Sequence, residues 1–378
     1  MFFKVIVLLI IFIFLYFIFF KRKNKKPIYK VSKNYKNQQL KTYADQEKVD
    51  LIESEANDLQ KAHEIPPGFL EFNIAFSKDL NKEQNIEVIN IAKKFKKPNP
   101  VLLKLINDGF EPNELFDLIR SDTKMTAKVL NAVNSPLFAL RTPITSIQHA
   151  IIFLGVNAIK NIVMQFTLQD VMKFDVPQQE RAYQKLWIAS YVACAFSFLL
   201  AKELGRENAA ELSTRCLLCY LGDMAMLSNN ALLADDYLLS TSLYQRIKSS
   251  QDTYGYNSAI VGKTLAQEWE LPRSIITGIG DSLLPLSNVN LGSDVSNDTV
   301  QDNLLCYIAC RFGDFFAFDN VKDLSSISGL GQHENDPIEF YYLQRKIELS
   351  GFQQINRLFE NPIFIRKVST LIKNIKDE

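Results

Sequence analysis

The 378-residue chain contains three histidines, His63, His149 and His333, and none has an aspartate as its sequence neighbour. Metal-dependent phosphoester hydrolysis needs several imidazoles and carboxylates converging on cations that orient and activate water. This sequence offers little of that chemistry. Five cysteines stand at positions 194, 216, 219, 306 and 310. Cys216 and Cys219 are three apart and Cys306 and Cys310 four apart, so each pair shares a helical face and could approach a metal. All of them lie in apolar text, where cysteine packs as a small hydrophobe, and packing is the stronger reading. Their odd number, in a domain expected to face the cytoplasm, argues against a disulfide scaffold.

No serine or cysteine has a histidine base that the sequence supports, and His149 has no evident partner. The string "GKT" at 262–264 lacks the glycine-rich turn of a phosphate-binding loop. Asp223 reads either as an acidic ligand, or as the cap of a turn after Gly222 or the partner of a basic residue. Lys263 and Arg273 read either as phosphate contacts or as solvent-facing charges.

The elements that must position these groups are helical, because no sustained strand alternation or internal repeat is present. The organising stretch runs from Asn113 to Gln169. Leu115, Leu118 and Ile119 share one face of a first helix. Asp122 can cap a second, which carries Met125, Val129 and Val133 and stops at Asn134-Ser135-Pro136. A third is expected after Thr145, whose hydroxyl would cap while Gln148 completes a capping box, with Ile147, Ile151 and Leu154 buried. Gly155 marks a turn into a fourth helix carrying Ile159, Ile162 and Val163.

The phrases "SDTKMTAKVLNAVNSPLF" and "ITSIQHAIIFLG" within this stretch resemble the signature of HDOD domains. These are all-helical bacterial signalling modules related to the HD phosphohydrolases and HD-GYP phosphodiesterases. The resemblance implies an all-α, multi-helix HDOD/HD-like domain, and weaker similarity runs from about Ile89 to Asp314. It also implies where metal ligands would stand. Ala189 occupies the expected histidine position in "LWIASYVACAFSFLLAKELG". Cys219 and Tyr220 occupy the HD positions in "CLLCYLGDMAMLSN", and Asn257 stands at the next histidine position. Gly280-Asp281 falls near a later one. A degenerate, metal-free site is the expectation, with Cys219, Tyr220, Asp223, Asn257, Lys263 and Arg273 as the remains of the pocket.

Beyond the signature, a long helix is expected over 179–204, with Trp187 as a core anchor and Gly205 as its stop. Further helices are expected over 209–226, 257–269, from Arg273, around Leu304–Phe312, over 337–349 and over 364–373. Residues 1–20 carry one charge, Lys4, and are otherwise rich in Phe, Ile, Val and Leu. At about 1.5 Å per residue they match a hydrocarbon layer of roughly 30 Å, so an uncleaved N-terminal transmembrane helix is expected. Nine Lys or Arg and no acid follow between Lys21 and Lys41, which would keep the large domain on the cytoplasmic side of the inner membrane and could also meet anionic lipid.

The domain reading is therefore a transmembrane anchor over 1–20 and a basic juxtamembrane segment with a helical linker over 21–65. A helical leader follows over 66–97, with Ile86, Ile89, Ala92 and Phe95 as its buried side. The HDOD-like domain takes 98–320 and a helical C-terminal appendage 321–378. A net charge of +1 gives no global electrostatic reason for nucleic-acid binding. A helix-turn-helix over 113–134 would use Lys124 and Lys128, but Asp117 and Asp122 weaken it.

These readings favour a membrane-anchored, non-enzymatic signalling or scaffold protein with a protein partner and no cofactor. Asn134, Ser135, Arg141 and Thr142 form the candidate interaction surface, though capping and turn formation serve Asn134 and Ser135 equally well. The alternatives are a nucleotide-sensing module that kept a metal-free pocket, tested by calorimetry with cyclic nucleotides, and a residual metal-dependent phosphohydrolase.

Overall fold

The computed structural model describes residues 65–95, 112–134, 143–289, 295–319, 324, 329–332 and 336–376. The chain divides into two compact units, Met1–Glu53 and Ser54–Glu378, and every described residue lies in the second. The expected basic segment and its helical linker up to residue 64, His63 included, lie outside the described residues, as do His333, Ser135, Arg141 and Thr142.

The all-α, multi-helix expectation holds among the described residues, but its N-terminal span is corrected. Residues 1–20 are outside the described set. Among the described residues, the helix long and apolar enough to cross a membrane is mid-chain, Pro177–Glu203, and 56% of its most apolar window is buried inside the protein. A core helix meets the same length and composition requirement, because burial on all sides selects the same residues as lipid does.

The first described helix, α1 (Lys82–Lys94), opens on a reciprocal cap between Asn81 and Gln84. It buries Val88, Ile91 and Ala92, followed by Phe95. Ile86 is 49% exposed and Ile89 half-buried, so the buried stripe lies beside the one expected, on the face that meets α11 (Ser258–Glu268).

The signature region folds as a relay. In α2 (Pro112–Ser121) Leu115 and Ile119 are buried, and in α3 (Thr123–Val133) Val129 and Val133. Asp122 accepts from the Met125 amide at 3.1 Å and caps α3 as its position suggested. The cap of α4 (Ile147–Leu154) is Ser146, not Thr145: its hydroxyl accepts from the His149 amide at 3.1 Å. Starting one residue later still buries Ile147 and Ile151. Gly155, at φ +85°, lets the chain turn through 119° into α5 (Val156–Val171).

The centre of the core is α6 (Pro177–Glu203) packed on α13 (Asn297–Asp319) and on α7 (Ala209–Leu218). A Cβ on Gly313 would stand 2.3 Å from the Ala189 carbonyl oxygen, so only glycine permits the observed approach of α6 and α13. Trp187 sits at the margin of this core, half-buried and stacked on Tyr191 at 6.1 Å, whereas Trp269 is 1% exposed and is the deeper anchor.

The single helix expected over 209–226 is two helices. It breaks at Cys219-Tyr220 into α7 and α8 (Leu221–Asn229). The break turns α8 onto α11, where Gly222 and Gly262 meet: a Cβ on Gly222 would lie 1.8 Å from the Ser258 carbonyl oxygen. Between them come α9 (Ala234–Leu238) and α10 (Leu243–Tyr254), and after α11 comes α12 (Arg273–Gly280). The chain closes with α14 (Leu343–Leu349), α15 (Gln354–Phe359) and α16 (Pro362–Lys376). Phe359 and Phe364 pack their rings within 6.2 Å of Phe196 on α6, so this tail extends the core.

Candidate functional site

Helix α13 is apolar along most of its length, yet it carries Arg311 and Asp314 one turn apart, both buried. A buried charge must be paired and hydrogen-bonded, and the surrounding helices supply what is needed. Asp314 Oδ2 accepts from Arg311 Nη1 at 2.7 Å and from Arg246 Nη2 of α10 at 2.9 Å. The Tyr220 hydroxyl stands 2.8 Å from both Asp314 Oδ1 and the Cys310 carbonyl oxygen, so its single proton serves two acceptors. Arg246 also donates to the Thr241 carbonyl at 2.6 Å. Its guanidinium lies 5.2 Å from the centre of the Tyr237 ring and 5.1 Å from that of Phe318.

A second carboxylate completes the group. Asp223, on the first turn of α8, accepts from the Tyr237 hydroxyl at 2.9 Å and from Ser258. Burial pushes its carboxyl above the ordinary carboxylate range, against the opposing pull of Arg246 and the Tyr237 hydrogen bond. Burial works against the charge on Arg246 and Arg311, but Asp314 holds both guanidinium groups above their ordinary values.

These side chains line a cavity of about 20 Å³, closed by Leu186, Leu243, Ser282 and Leu283, with Cys219 and Cys310 also in its wall. That volume accommodates water-sized molecules and not a nucleobase.

Three of the six residues expected at the pocket, Cys219, Tyr220 and Asp223, therefore meet in one cavity. Asn257 lies beside it, fully buried and occupied by structure. Its Oδ1 accepts from the Ile260 amide at 3.1 Å to cap α11, while its Nδ2 donates to the Ala75 carbonyl at 3.0 Å and to Gln251 Oε1 at 2.9 Å. Lys263 and Arg273 do not line the cavity. Lys263 packs along Gly280 near Asp281, and Arg273 is exposed at the start of α12.

Arg246, Arg311 and Asp314 were not among the expected residues. A sequence signal for two of them exists: Arg311 and Asp314 interrupt the apolar run "CYIACRFGDFFAF" at an i,i+3 spacing, which favours an internal pair. Among the described residues, no group of three or more His, Cys, Asp or Glu side chains is placed to hold a metal ion. His149, the described histidine, is exposed on α4.

Asn134 is the described member of the expected interaction surface. Its side-chain amide donates to Leu130 and Ile144 carbonyls at 2.9 and 2.7 Å and accepts from the Ile144 amide at 2.6 Å. It thus staples the end of α3 to the approach of α4. In the last turn of α4, Ile152 is 76% and Phe153 56% exposed.

The family model for the HDOD domain matches residues 100–282. The fold is similar to the crystal structure of an HDOD domain protein of unknown function from Geobacter sulfurreducens, at 17% identity and a TM-score of 0.50, covering 73% of this chain and 98% of that one. It is also similar to a protein from Shewanella amazonensis SB2B provisionally assigned as a phosphohydrolase, at 16% identity and a TM-score of 0.51, covering 76% and 97%. At these identities the likeness is one of fold alone. Comparison with curated proteins finds no match.

Proposed function

This chain belongs to the HDOD family through residues 100–282, and we propose that it is a signalling module that works by binding a protein partner rather than by metal-dependent hydrolysis. The observation that carries this reading is the self-contained charge network at Asp314. Where the family resemblance puts metal-ligating residues, Tyr220 instead donates to a carboxylate already engaged by two arginines. Asn257 likewise spends its amide on a helix cap and on holding residue 75. Side chains committed in this way fix a structure, and a neutral phenol or amide is a poorer metal ligand than histidine or a carboxylate.

The partner surface is assigned to α4 and the connection ahead of it. Two large apolar side chains, Ile152 and Phe153, stand in solvent at the end of α4, as an apolar contact for a partner would. The cavity of about 20 Å³ favours this reading over nucleotide sensing, since a nucleotide would require the helices around it to separate.

The deciding experiment recovers partners with the full chain and with an Ile152→Ser/Phe153→Ser variant, alongside a phosphodiesterase assay in manganese or magnesium. Loss of partner recovery in a variant that melts like the parent supports the reading. Chelator-sensitive phosphoester turnover by the parent overturns it.

A further inference from the structure

The sequence shows two separate cysteine pairs, and the fold joins them. Cys216 lies on α7 and Cys219 at its C-terminal end, while Cys306 and Cys310 lie on α13, and the two helices pack together. Cys216 Sγ is 3.8 Å from the Cys306 carbonyl oxygen, and Cys310 Sγ is 3.9 Å from that of Cys216. Tyr220, the residue after Cys219, donates to the Cys310 carbonyl at 2.8 Å, which holds the end of α7 against Cys310. Of the four, only Cys219 and Cys310 also line the cavity.

We propose that Cys219 and Cys310 form a two-thiol site that is oxidised to a disulfide by a small hydroperoxide entering the cavity beside Arg311. The pairing follows from this approach and from shared access to the cavity. Cys216 and Cys306 are buried behind the cavity wall, Cys194 lies elsewhere on α6, and Cys219 is the half-buried member of the set.

The environment favours Cys310 as the attacking sulfur. Hydrogen bonds from Cys216 and Cys219 hold its thiol well below the ordinary range, with Arg311 adding to them and burial opposing. Thiolate, not thiol, is the nucleophile, so a cluster able to hold one thiolate places it where two thiols donate to it.

The chemistry balances without another reagent. The Cys310 thiolate attacks one peroxide oxygen, the O–O bond breaks, and hydroxide leaves, giving the sulfenic acid at Cys310. Cys219 sulfur then attacks the Cys310 sulfur. The S–O bond breaks, and its hydroxyl leaves as water with the proton of the Cys219 thiol, while the hydroxide from the first step takes up the proton that Cys310 released on ionising. Two thiols are oxidised, and the peroxide is reduced to two waters. The cavity sets the size of the oxidant: about 20 Å³ admits a molecule near the size of water and excludes a tripeptide disulfide.

This inference is independent of whether α4 binds a partner. Its test treats the full folded chain with one equivalent of hydrogen peroxide, then blocks remaining thiols under denaturing conditions and maps the peptides. The expected result is a single Cys219–Cys310 cross-linked peptide, reversed by dithiothreitol, with oxidised glutathione producing no such cross-link in the folded chain. In a Cys219→Ser variant, oxidation stops at a sulfenic acid on Cys310 that dimedone traps, and a Cys194→Ser variant behaves as the parent. Free Cys219 and Cys310 after peroxide, oxidation spread evenly over five thiols, or a cross-link joining another pair would each overturn the assignment.

Discussion

The Tyr220 hydroxyl and Asp314 Oδ1, 2.8 Å apart, tie the break between α7 and α8 to the middle of α13. Asp314 is also the shared acceptor for Arg246 and Arg311. Removing it leaves two buried guanidinium groups without their carboxylate. Asp314→Ala should lose about 3–5 kcal/mol of stability in urea unfolding, while Tyr220→Phe, which deletes one hydrogen bond, should lose about 1 kcal/mol. Equal losses would show that the arginines do not depend on Asp314.

The crossing of α8 and α11 at Gly222 should tolerate no side chain. A methyl group there would meet the Ser258 backbone at 1.8 Å, so Gly222→Ala should cost about 3 kcal/mol or more in a thermal or denaturant melt. Gly262→Ala should cost less, because its nearest contacts are 3.0 Å away and one is a side-chain methyl of Ile279.

Asp223 should leave a signature in the pH dependence of stability. Its folded carboxyl titrates above the unfolded value of 3.8, so the folded state binds the extra proton. Stability from this group is present at low pH, falls as pH rises from the unfolded value through the folded one, and is constant above both. Asp223→Asn removes the titration. Its melting temperature should gain on the parent's as pH rises through the mildly acid range, with a plateau beyond it. A difference independent of pH would count against the buried placement.

Asn257 should act locally. Asn257→Ala removes the α11 cap and the bond to Ala75, costing about 2–3 kcal/mol in all. Hydrogen exchange should rise at residues 74–76 and in the first turn of α11, with the centres of α6 and α13 unchanged relative to global stability.

Much of the helix order was legible because periodicity and caps are local. Asp122, Gly155, Gly205 and Asn257 each mark an end that the sequence alone identifies. The break at Cys219-Tyr220 was not legible, since the stretch from Leu212 to Met226 is good helical text and only the approach of Gly222 to Ser258, 36 positions later, bends it. Ser146 displaced Thr145 as a cap because either hydroxyl satisfies the local pattern. At the site, Cys219, Tyr220 and Asp223 were found through the resemblance. Arg246 was not, because its partner Asp314 is 68 residues away. Composition identified a membrane-length apolar segment at residues 1–20, but the property is shared by a buried helix such as α6, which passes the same test for a different reason.

The amide contacts around residues 73–75 have a mechanical consequence. Gln251 holds the Asn73 carbonyl at 2.9 Å and the Ala75 amide at 3.0 Å, and Asn257 holds the Ala75 carbonyl. The segment is thus held by three hydrogen bonds to the end of α10 and the start of α11, and just ahead of it the buried Phe69 packs on Tyr244, Tyr341 and Tyr342. Asn257 is followed directly by Ser258, which is part of the cavity wall, so a pull on residues 73–75 reaches the cavity lining through a single peptide step.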